Sequence, residues 1–480
     1  MSHSRTQQLR SRQTKNPNND VRQSWSINPL VNNGGDLTPS FSSSTSYAEL
    51  LRPSTLDFQQ QMSVTSDYNS YSSENCSSSN SSSGATTPQP QQQHQPIVKK
   101  KPRKKKMAID EFEILKVLGK GAYGKVYQVR KVTGVDKDTI YALKSVNKAR
   151  IIDSRTDTRH TRAERDVLAL VDHPFLIKMF YAFESKERLY FVQEFCRGGE
   201  LFRLMETERM LLEEHALFYL CEIVCALEYL HDLNIVYRDL KTENIMLDSE
   251  GHIKLIDFGL SKIFENDVSL TTTFCGTVEY MAPEVVIKNP GHGKPADWWS
   301  FGIFMFDLLT GRSPFSSNKG KKETKERILR AKFTIPAFVT PEAMDLIRRL
   351  LRKNVDRRLG SNGGADEVKA HGFFKGIDWE KVYKKEYTPP HIPSLNPTDY
   401  SDVSQFDPRF TSRTPVESVC KENKVVADPP AVLFKDFDYT APECLETVGA
   451  AAAQDENNRG VVVDSVINLA SDMHIRCPGE

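Results

Sequence analysis

The chain has 480 residues, of which 39% are hydrophobic and 26% charged, so it is long enough for about three domains, and a single short module is excluded. Its 64 Lys and Arg side chains nearly balance 63 Asp and Glu, which excludes a polyanion-binding surface spread over the whole chain. The 8 cysteines form no Cys-x-x-Cys pair, and neither a signal-peptide pattern nor an apolar stretch of about 18 residues occurs. These features predict a cytosolic or nuclear protein with no membrane contact, disulfide framework or zinc site.

The two ends of the chain are predicted to be disordered tails. Residues 1–98 consist largely of Ser, Gln, Asn and Thr. Such a segment buries too little apolar surface to offset the entropy cost of ordering it. We predict disorder at 1–98 and again at 450–480.

A strongly basic segment follows the N-terminal tail. Residues 99–106 carry seven cationic side chains in eight positions and resemble a nuclear-localisation sequence, which a nuclear import receptor would bind. A solvated spacer or a weak contact with nucleic-acid phosphates explains the same charges. The predicted localisation is therefore cytoplasmic, with nuclear import as an alternative that the sequence leaves open.

From about residue 112 the pattern becomes that of a folded domain with a β-rich lobe followed by a helical lobe. Apolar runs at 112–118, 125–130 and 139–144 predict consecutive antiparallel strands. The segment 215–230 has apolar residues at i, i+3 and i+4 and predicts a helix. Its Cys221 and Cys225 share a face and are predicted to lie in the core, because no histidines stand at metal-ligand spacing.

A glycine-rich loop lies between the first two predicted strands. Residues 119–126 have the pattern Gly-x-Gly-x-x-Gly-x-Val, which also serves dinucleotide-binding folds when a helix follows. Here strands stand on both sides, an arrangement typical of a flap that lays backbone N–H groups over ATP phosphates. Lys144 in the next strand is placed to reach phosphates, and Glu164 in a helical segment is its candidate partner.

A second group of polar residues follows at fixed intervals. Asp239, Lys241 and Asn244 would combine a proton acceptor, a phosphate-neutralising cation and a metal-binding amide on one short loop. Asp257 in Asp-Phe-Gly adds a carboxylate for Mg²⁺, and Glu284 in Ala-Pro-Glu ends the segment that begins there. The occurrence of all these motifs in this order indicates phosphoryl transfer from ATP.

Together these motifs resemble the eukaryotic protein kinases over residues 112–374. Tyr237 before Arg-Asp, the segment 273–277 and the long C-terminal extension are similar to the AGC group. Within that group, the tail motifs at 402–407, 410–411, 414–418 and 434–442 most resemble the ribosomal protein S6 kinases. The resemblance implies an α+β bilobal kinase fold, with a β-rich N-lobe, a helical C-lobe and an AGC C-terminal domain at 375–449.

The resemblance also implies roles for individual residues. Asp239 would accept the substrate proton, Lys241 would neutralise the transferred phosphoryl group, and Asn244 and Asp257 would hold Mg²⁺. Glu284 is expected to form a structural ion pair with Arg358. The implied ATP-binding residues are Leu118, Gly119, Lys120, Gly121, Ala122, Tyr123, Gly124, Val126, Ala142, Lys144, Glu164, Glu194, Cys196, Glu200 and Met246. Among them, Glu194 and Cys196 would offer backbone groups to adenine, and Val126, Ala142 and Met246 would sandwich its ring.

The expected activity is a serine/threonine protein kinase that uses ATP and Mg²⁺ and prefers protein substrates with basic motifs. Glu200, Glu243 and Asp307 match the acids with which AGC kinases bind arginines before the target residue. Two other functions compete. A catalytically dead scaffold would be expected to have lost residues such as Lys144 or Asp239, and a nucleic-acid-binding protein would depend on residues 99–106 alone.

The resemblance implies three regulatory sites, and the protein is expected to be a monomer. Thr273 matches the residue that an upstream phosphoinositide-dependent kinase phosphorylates, and Thr414 or Ser418 matches a second phosphorylation site. The hydrophobic motif comprises Phe434, Phe437, Asp438 and Tyr439 and is expected to dock on the N-lobe. Asp438 stands where relatives carry Ser or Thr, so we hypothesise that this switch is permanently on; a tolerated tail residue is the alternative.

Overall fold

The computed structural model describes residues 106–121, 123–152, 154–266, 269–287, 291–417 and 434–445. The predicted disordered tails lie outside these residues, as do 99–105 of the basic segment, Ala122 and Ser418. Among the helices of the described segments, none is both long enough and apolar enough to cross a membrane.

Most of the strands lie in the first lobe. A six-stranded sheet runs in the order β1-β2-β3-β5-β4-β11, and antiparallel pairing of β1, β2 and β3 confirms the predicted succession of strands. The strands are β1 Phe112–Lys120, β2 Gly124–Lys131, β3 Ile140–Asn147, β4 Met179–Glu184, β5 Arg188–Glu194, β6 Gly199–Glu200, β7 Ile235–Val236, β8 Ile245–Leu247, β9 Ile253–Leu255, β10 Lys262–Ile263 and β11 Tyr439–Thr440.

Helices make up most of the second lobe. The predicted helix at 215–230 is confirmed, and its two cysteines are buried in the core. The helices are α1 Lys148–Ile151, α2 Arg155–Leu170, α3 Leu201–Glu208, α4 Glu213–Asp232, α5 Pro283–Ile287, α6 Pro295–Thr310, α7 Lys321–Arg330, α8 Pro341–Leu350, α9 Gly364–Lys369, α10 Trp379–Tyr383 and α11 Pro408–Thr411.

Helix α2 packs on one face of the sheet because its buried residues recur every three or four positions. Glu164 and Leu168 belong to this stripe, which faces the core. The helix begins at a cap in which the Ser154 hydroxyl accepts a hydrogen bond from the Asp157 N–H at 3.2 Å. This packing directs the Glu164 carboxylate toward β3.

The two faces of the sheet belong to different cores. The face toward α2 joins the main core through Val146 and Phe191, and this core continues into α4 and α6. The opposite, outer face forms a separate cluster that includes Tyr127, Tyr141 and Tyr190. Because successive strand residues point to opposite faces, each strand contributes to both cores.

One ion pair anchors the helical lobe near the end of the segment that begins at Asp257. The Arg358 guanidinium donates to both Glu284 carboxylate oxygens, at 2.6 and 2.9 Å, and its side chain is fully buried. This bidentate contact confirms the predicted pair. It orients α5 against the body of the lobe, because a buried guanidinium is costly without its carboxylate.

The C-terminal extension returns to the first lobe. The Gln128 side-chain amide donates to the Ser401 carbonyl at 2.9 Å, and Phe406 stacks on Phe195 with ring centroids 5.5 Å apart. At its far end, β11 pairs with β4 and so adds the sixth strand to the sheet. The extension therefore runs along the N-lobe and is part of its structure.

Candidate active site

The glycine-rich loop connects β1 to β2 at the mouth of a cleft between the lobes. Its turn is closed by the Gly121 N–H, which donates to the Gly124 carbonyl at 3.0 Å. A Cβ at Gly124 would lie 1.7 Å from the Ser145 carbonyl oxygen, so only glycine permits this approach to β3. A Cβ at Gly119 or Gly121 would meet open space, which leaves the loop backbone accessible to a phosphate group.

Lys144 on β3 forms an ion pair with Glu164 on α2. Its ammonium lies 2.5 Å from the Glu164 carboxylate and 3.4 Å from that of Asp257. Burial by itself would lower the pKa of Lys144, but Asp257 and Glu164 outweigh burial and hold it above its ordinary value. The lysine is therefore a fixed positive charge that joins the sheet, the helix and the metal-site carboxylate.

Sheet register places two of the predicted adenine-binding residues, Val126 and Ala142, on the same face of the sheet as this lysine. Val126 is the direct cross-strand partner of Lys144, and Ala142 lies two residues earlier on the same face of β3. Met246 on β8 pairs with Glu200 on β6. Leu118 is buried, while Lys120 and Tyr123 flank the tip of the loop.

The segment between the lobes contains Glu194 and the buried Cys196. The Glu194 N–H donates to the Lys178 carbonyl at 3.0 Å, and its carboxylate contacts the Lys254 ammonium at 2.8 Å. Glu194 therefore cannot also donate its amide to adenine. The predicted contact of Glu194 with adenine is thereby restricted to its carbonyl group.

The catalytic-loop residues converge on the Asp239 carboxylate. Lys241 donates to Oδ2 at 2.7 Å, and the Asn244 amide nitrogen donates to the same oxygen at 2.7 Å and to the Asp239 carbonyl at 2.9 Å. The Thr277 N–H and hydroxyl reach Oδ1, both at 3.3 Å. Because Oδ2 has the two short contacts, Oδ1 is the better placed oxygen to take up a substrate proton.

Two residues in this network were not predicted as site residues. Thr277 contacts both Asp239 and Lys241, although the sequence analysis used its segment only as a family motif. The fully buried Asp297 on α6 accepts the backbone N–H groups of Tyr237 and Arg238 at 2.9 and 2.8 Å. No local pattern indicates these contacts, because they cross about 40 to 60 residues of chain.

Asn244 and Asp257 supply oxygen ligands suited to Mg²⁺. Asn244 uses its amide nitrogen to bind Asp239, which leaves its amide oxygen as the ligand atom. The Lys144 charge holds the pKa of Asp257 below its usual value, so this carboxylate stays ionised. An amide oxygen and a carboxylate match the hard-ligand preference of Mg²⁺, so the residues present fit the ion.

Tyr237 packs between the catalytic loop and the segment that carries Asp257. Its ring contacts Phe258 edge-on with centroids 5.4 Å apart, and its hydroxyl donates to the Ile256 carbonyl at 2.5 Å. The tyrosine thus links the catalytic loop to the strand end that presents Asp257. Asp257 itself has φ of +57°, a left-handed conformation that this surrounding structure must hold in place.

The three predicted arginine-binding acids lie near one another. Desolvation and then the Glu243 charge raise the pKa of Glu200. Desolvation also raises the pKa of Asp307 to about 6, with Glu243 adding to the shift and the Tyr280 hydroxyl, 2.6 Å away, opposing it. Because the Glu243 charge raises the pKa of both Glu200 and Asp307, the three acids form a site that a guanidinium group would stabilise.

Comparison with known proteins agrees with this geometry. The chain matches the protein kinase domain family over residues 112–374, more than half of its length. The chain belongs to the protein kinase family. It is 47% identical over 366 residues to ribosomal protein S6 kinase beta of Caenorhabditis elegans, an alignment that covers 76% of this chain and 64% of that protein.

Two mammalian proteins are similar to this kinase over nearly the same region. Ribosomal protein S6 kinase alpha-2 of Mus musculus is 47% identical over 341 residues, which cover 70% of this chain and 45% of that protein. Ribosomal protein S6 kinase alpha-3 of Homo sapiens is 44% identical over 363 residues, with coverages of 73% and 47%. This kinase therefore spans between about half and two thirds of the length of these curated relatives.

The hydrophobic motif of this kinase lies against the first lobe. Phe434 and Phe437 are each 3% exposed, and the Phe437 ring meets Phe191 on β5 at 5.4 Å. The Arg165 guanidinium on α2 donates to the Phe437 and Asp438 carbonyls, both at 3.1 Å. The tail thus contacts the helix that carries Glu164.

The contribution of Lys144 to folding stability can be measured separately from its contribution to nucleotide binding. The Lys144→Met variant should lose about 2 kcal/mol of stability, less than a fully enclosed pair because the lysine side chain is 27% exposed. Burial raises the pKa of Glu164 and the ammonium opposes this. Without the ammonium, protonation of Glu164 should restore stability as pH falls, because burial raises its pKa in the folded state above that in the unfolded state.

The Lys144→Met/Glu164→Gln double variant provides the matched comparison. It should regain stability at pH 8 in chemical denaturation, because no uncompensated carboxylate remains, yet bind ATP about tenfold or more weakly than the wild type. Recovery of ATP affinity together with stability would show that Lys144 has only a structural role.

Proposed function

We propose that this protein is a Mg²⁺-dependent serine/threonine protein kinase that transfers the γ-phosphoryl group of ATP to substrate hydroxyls. The observation that carries the proposal is the convergence of Lys241, Asn244 and Thr277 on Asp239 in the same cleft as the Lys144 ion pair. A scaffold without catalysis would not need this arrangement. The nucleic-acid alternative depends on a segment that lies mostly outside the described residues.

The geometry supports a division of labour in the cleft. Asp239 would accept the proton of the substrate hydroxyl through Oδ1, while its contacts to Oδ2 keep the carboxylate oriented. Lys241 lies between Asp239 and the Thr277 hydroxyl, from which its ammonium can turn toward a transferring phosphoryl group. Mg-ATP, when bound, supplies the reactive phosphorus and part of the charge neutralisation.

The first test is phosphate transfer from Mg-ATP to an Arg-x-Arg-x-x-Ser peptide by the Thr273-phosphorylated protein. The Asp239→Asn variant should be slower by about 10² to 10⁴, because it loses the proton acceptor but keeps the shape of the side chain. The Asp345→Asn variant, which changes a half-exposed acid on α8, is the matched control and should keep its rate. Equal rates for Asp239→Asn and the wild type would exclude this mechanism.

We further propose that the substrates carry arginines before the acceptor residue. The support is the acidic group of Glu200, Glu243 and Asp307, whose mutual repulsion a guanidinium would relieve. Arginine suits such a site better than lysine, because its planar fork can bind two carboxylate oxygens at once.

Asp307 makes this preference dependent on pH. Its pKa of about 6 means that the carboxylate is ionised at pH 8 and becomes protonated as pH falls through 6. The advantage in kcat/KM of the arginine peptide over an alanine-substituted peptide should therefore shrink by up to about tenfold between pH 8 and 5. In Asp307→Asn the advantage should be small at both pH values. A ratio that does not change with pH in the wild type would contradict this assignment.

We also propose that phosphorylation of Thr273 by an upstream kinase orders the segment from Asp257 to Glu284, which we call the activation segment. Arg238 has a buried Nη1 atom with no hydrogen-bond partner among the described residues. Burial and then Arg238 lower the pKa of His160 and of Lys262, which shows that several cationic groups lie close together. A phosphate near this cluster would supply the missing negative charge.

Nuclear import through 99–106 remains a prediction, which exclusion of a fluorescent fusion from the nucleus would contradict.

The hypothesis that Asp438 keeps the hydrophobic-motif switch permanently on can be tested at one defined contact. Its carboxylate meets the Lys106 ammonium at 2.9 Å, and both side chains are substantially exposed. Since exposed pairs contribute up to about 1 kcal/mol, Asp438→Asn should lower the activity of the Thr273-phosphorylated enzyme by about two- to fivefold. The control Asp436→Asn alters an exposed neighbour and should have no effect. Unchanged activity of Asp438→Asn would favour a merely tolerated tail residue.

A further inference from the structure

The outer face of the N-lobe sheet holds a carboxylate that the proposed mechanism does not use. Glu417, in the C-terminal extension, accepts a hydrogen bond from the Ser145 hydroxyl at 2.9 Å and lies 3.2 Å from the Arg188 Nε. Its other oxygen accepts the Tyr190 hydroxyl at 3.2 Å. One side chain of the tail thus contacts three side chains that lie more than 220 residues earlier in the chain.

The receiving residues form a buried, cationic pocket. Ser145 is fully buried, Tyr190 is 2% exposed and the Arg188 side chain 9% exposed. The Arg188 Nη1 also donates to the Ser145 hydroxyl at 3.3 Å, so the three donors are held relative to one another. A guanidinium and two hydroxyls that converge in a dry environment form an anion site, because an uncompensated buried charge is strongly unfavourable.

The pocket lies one cross-strand residue pair away from Lys144. Ser145 and Tyr190 are direct cross-strand partners of β3 and β5, and the neighbouring pair is Lys144 with Phe191. Adjacent pairs point to opposite faces of the sheet. Glu417 therefore contacts the outer face of the sheet at Ser145 and Tyr190, while the adjacent Lys144 points from the inner face into the cleft.

The hydrophobic motif contacts β5 from the other face of the sheet. The Phe437 ring meets Phe191, and the Lys144 ammonium lies 5.9 Å from the centre of that Phe191 ring. The extension thus contacts both strands from the outer face through Glu417 and contacts β5 from the inner face through Phe437, at consecutive residue pairs.

We propose that Arg188, Ser145 and Tyr190 form an anion site whose occupant is Glu417, and that its occupancy positions Lys144 for nucleotide binding. Glu417 is a positioning residue, since it acts on Lys144 through the β3 backbone. Because the anion is part of the chain, this contact of the tail requires no phosphorylation. The effect on nucleotide binding rests on the kinase function proposed above.

The test compares Glu417→Gln with Glu113→Gln in the full-length protein. Glu113 on β1 pairs with Arg130 on the same sheet at 3.3 Å, but both side chains are about half exposed, so it is a matched carboxylate outside any pocket. Glu417→Gln should raise the KM for ATP by about three- to tenfold and change kcat by less than about twofold, because Lys144 binds phosphates before and during transfer. Glu113→Gln should alter neither constant.

Hydrogen exchange of unphosphorylated protein provides a measurement that does not require activity. The β3 and β5 amides should exchange about tenfold faster in Glu417→Gln and stay protected in the wild type and in Glu113→Gln. Glu417→Asp, which keeps the charge, should restore much of the protection. In the Arg188→Met/Glu417→Gln double variant the KM for ATP should be no higher than in Glu417→Gln alone, since both changes remove one interaction.

The outcomes separate the two proposals. A wild-type KM for ATP and wild-type exchange in Glu417→Gln would overturn the anion site, whatever the enzyme's substrate. Faster exchange with no turnover by the wild-type protein would instead count against the kinase function and leave the site in place. Equal losses in Glu417→Gln and Glu113→Gln would show a general effect of surface charge and would also overturn the proposal.

Discussion

The ion pair between Lys144 and Glu164 is the interaction on which the rest of the active site depends. The lysine is carried by a strand and the glutamate by a helix, so the contact exists only while the sheet and α2 are packed together. Asp257, from the second lobe, approaches the same ammonium at 3.4 Å. The Lys144 ammonium therefore links a strand, a helix and the segment that carries Asp257. Displacement of any of these three elements would separate charges that are costly to leave unpaired.

A second set of contacts, which positions Asp239, lies in the helical lobe. The buried Asp297 on α6 holds the backbone of Tyr237 and Arg238, and these two residues lead directly into Asp239. Thr277 then reaches the same aspartate from the activation segment. Asp239 is thus positioned by a helix, a loop and the segment that carries Thr273, so the phosphorylation proposed at Thr273 would act on the position of Asp239.

The C-terminal extension supports the first lobe rather than merely covering it. A domain lobe built on one sheet has two faces to bury, and α2 covers only part of one of them. The tail supplies Phe434 and Phe437 on the inner side, Phe410 and Glu417 on the outer side, and a sixth strand at the edge. The stability of this lobe and the position of its lysine are therefore coupled to the tail.

Local pattern in the sequence determined the strands β1 to β3, the long helix α4 and the identity of the principal polar residues, because periodicity and short spacings reflect contacts within a few residues. Glu164 was named as the partner of Lys144 from the motifs themselves, whereas the ion pair of Arg358 with Glu284 was predicted from a family resemblance, which carries long-range information indirectly. Only the tertiary structure decided the roles of Thr277, Asp297 and Glu417, and it restricted Glu194 to its carbonyl group. These contacts join residues about 15 to 270 positions apart, and nothing in local composition encodes which distant partner a buried polar group will meet.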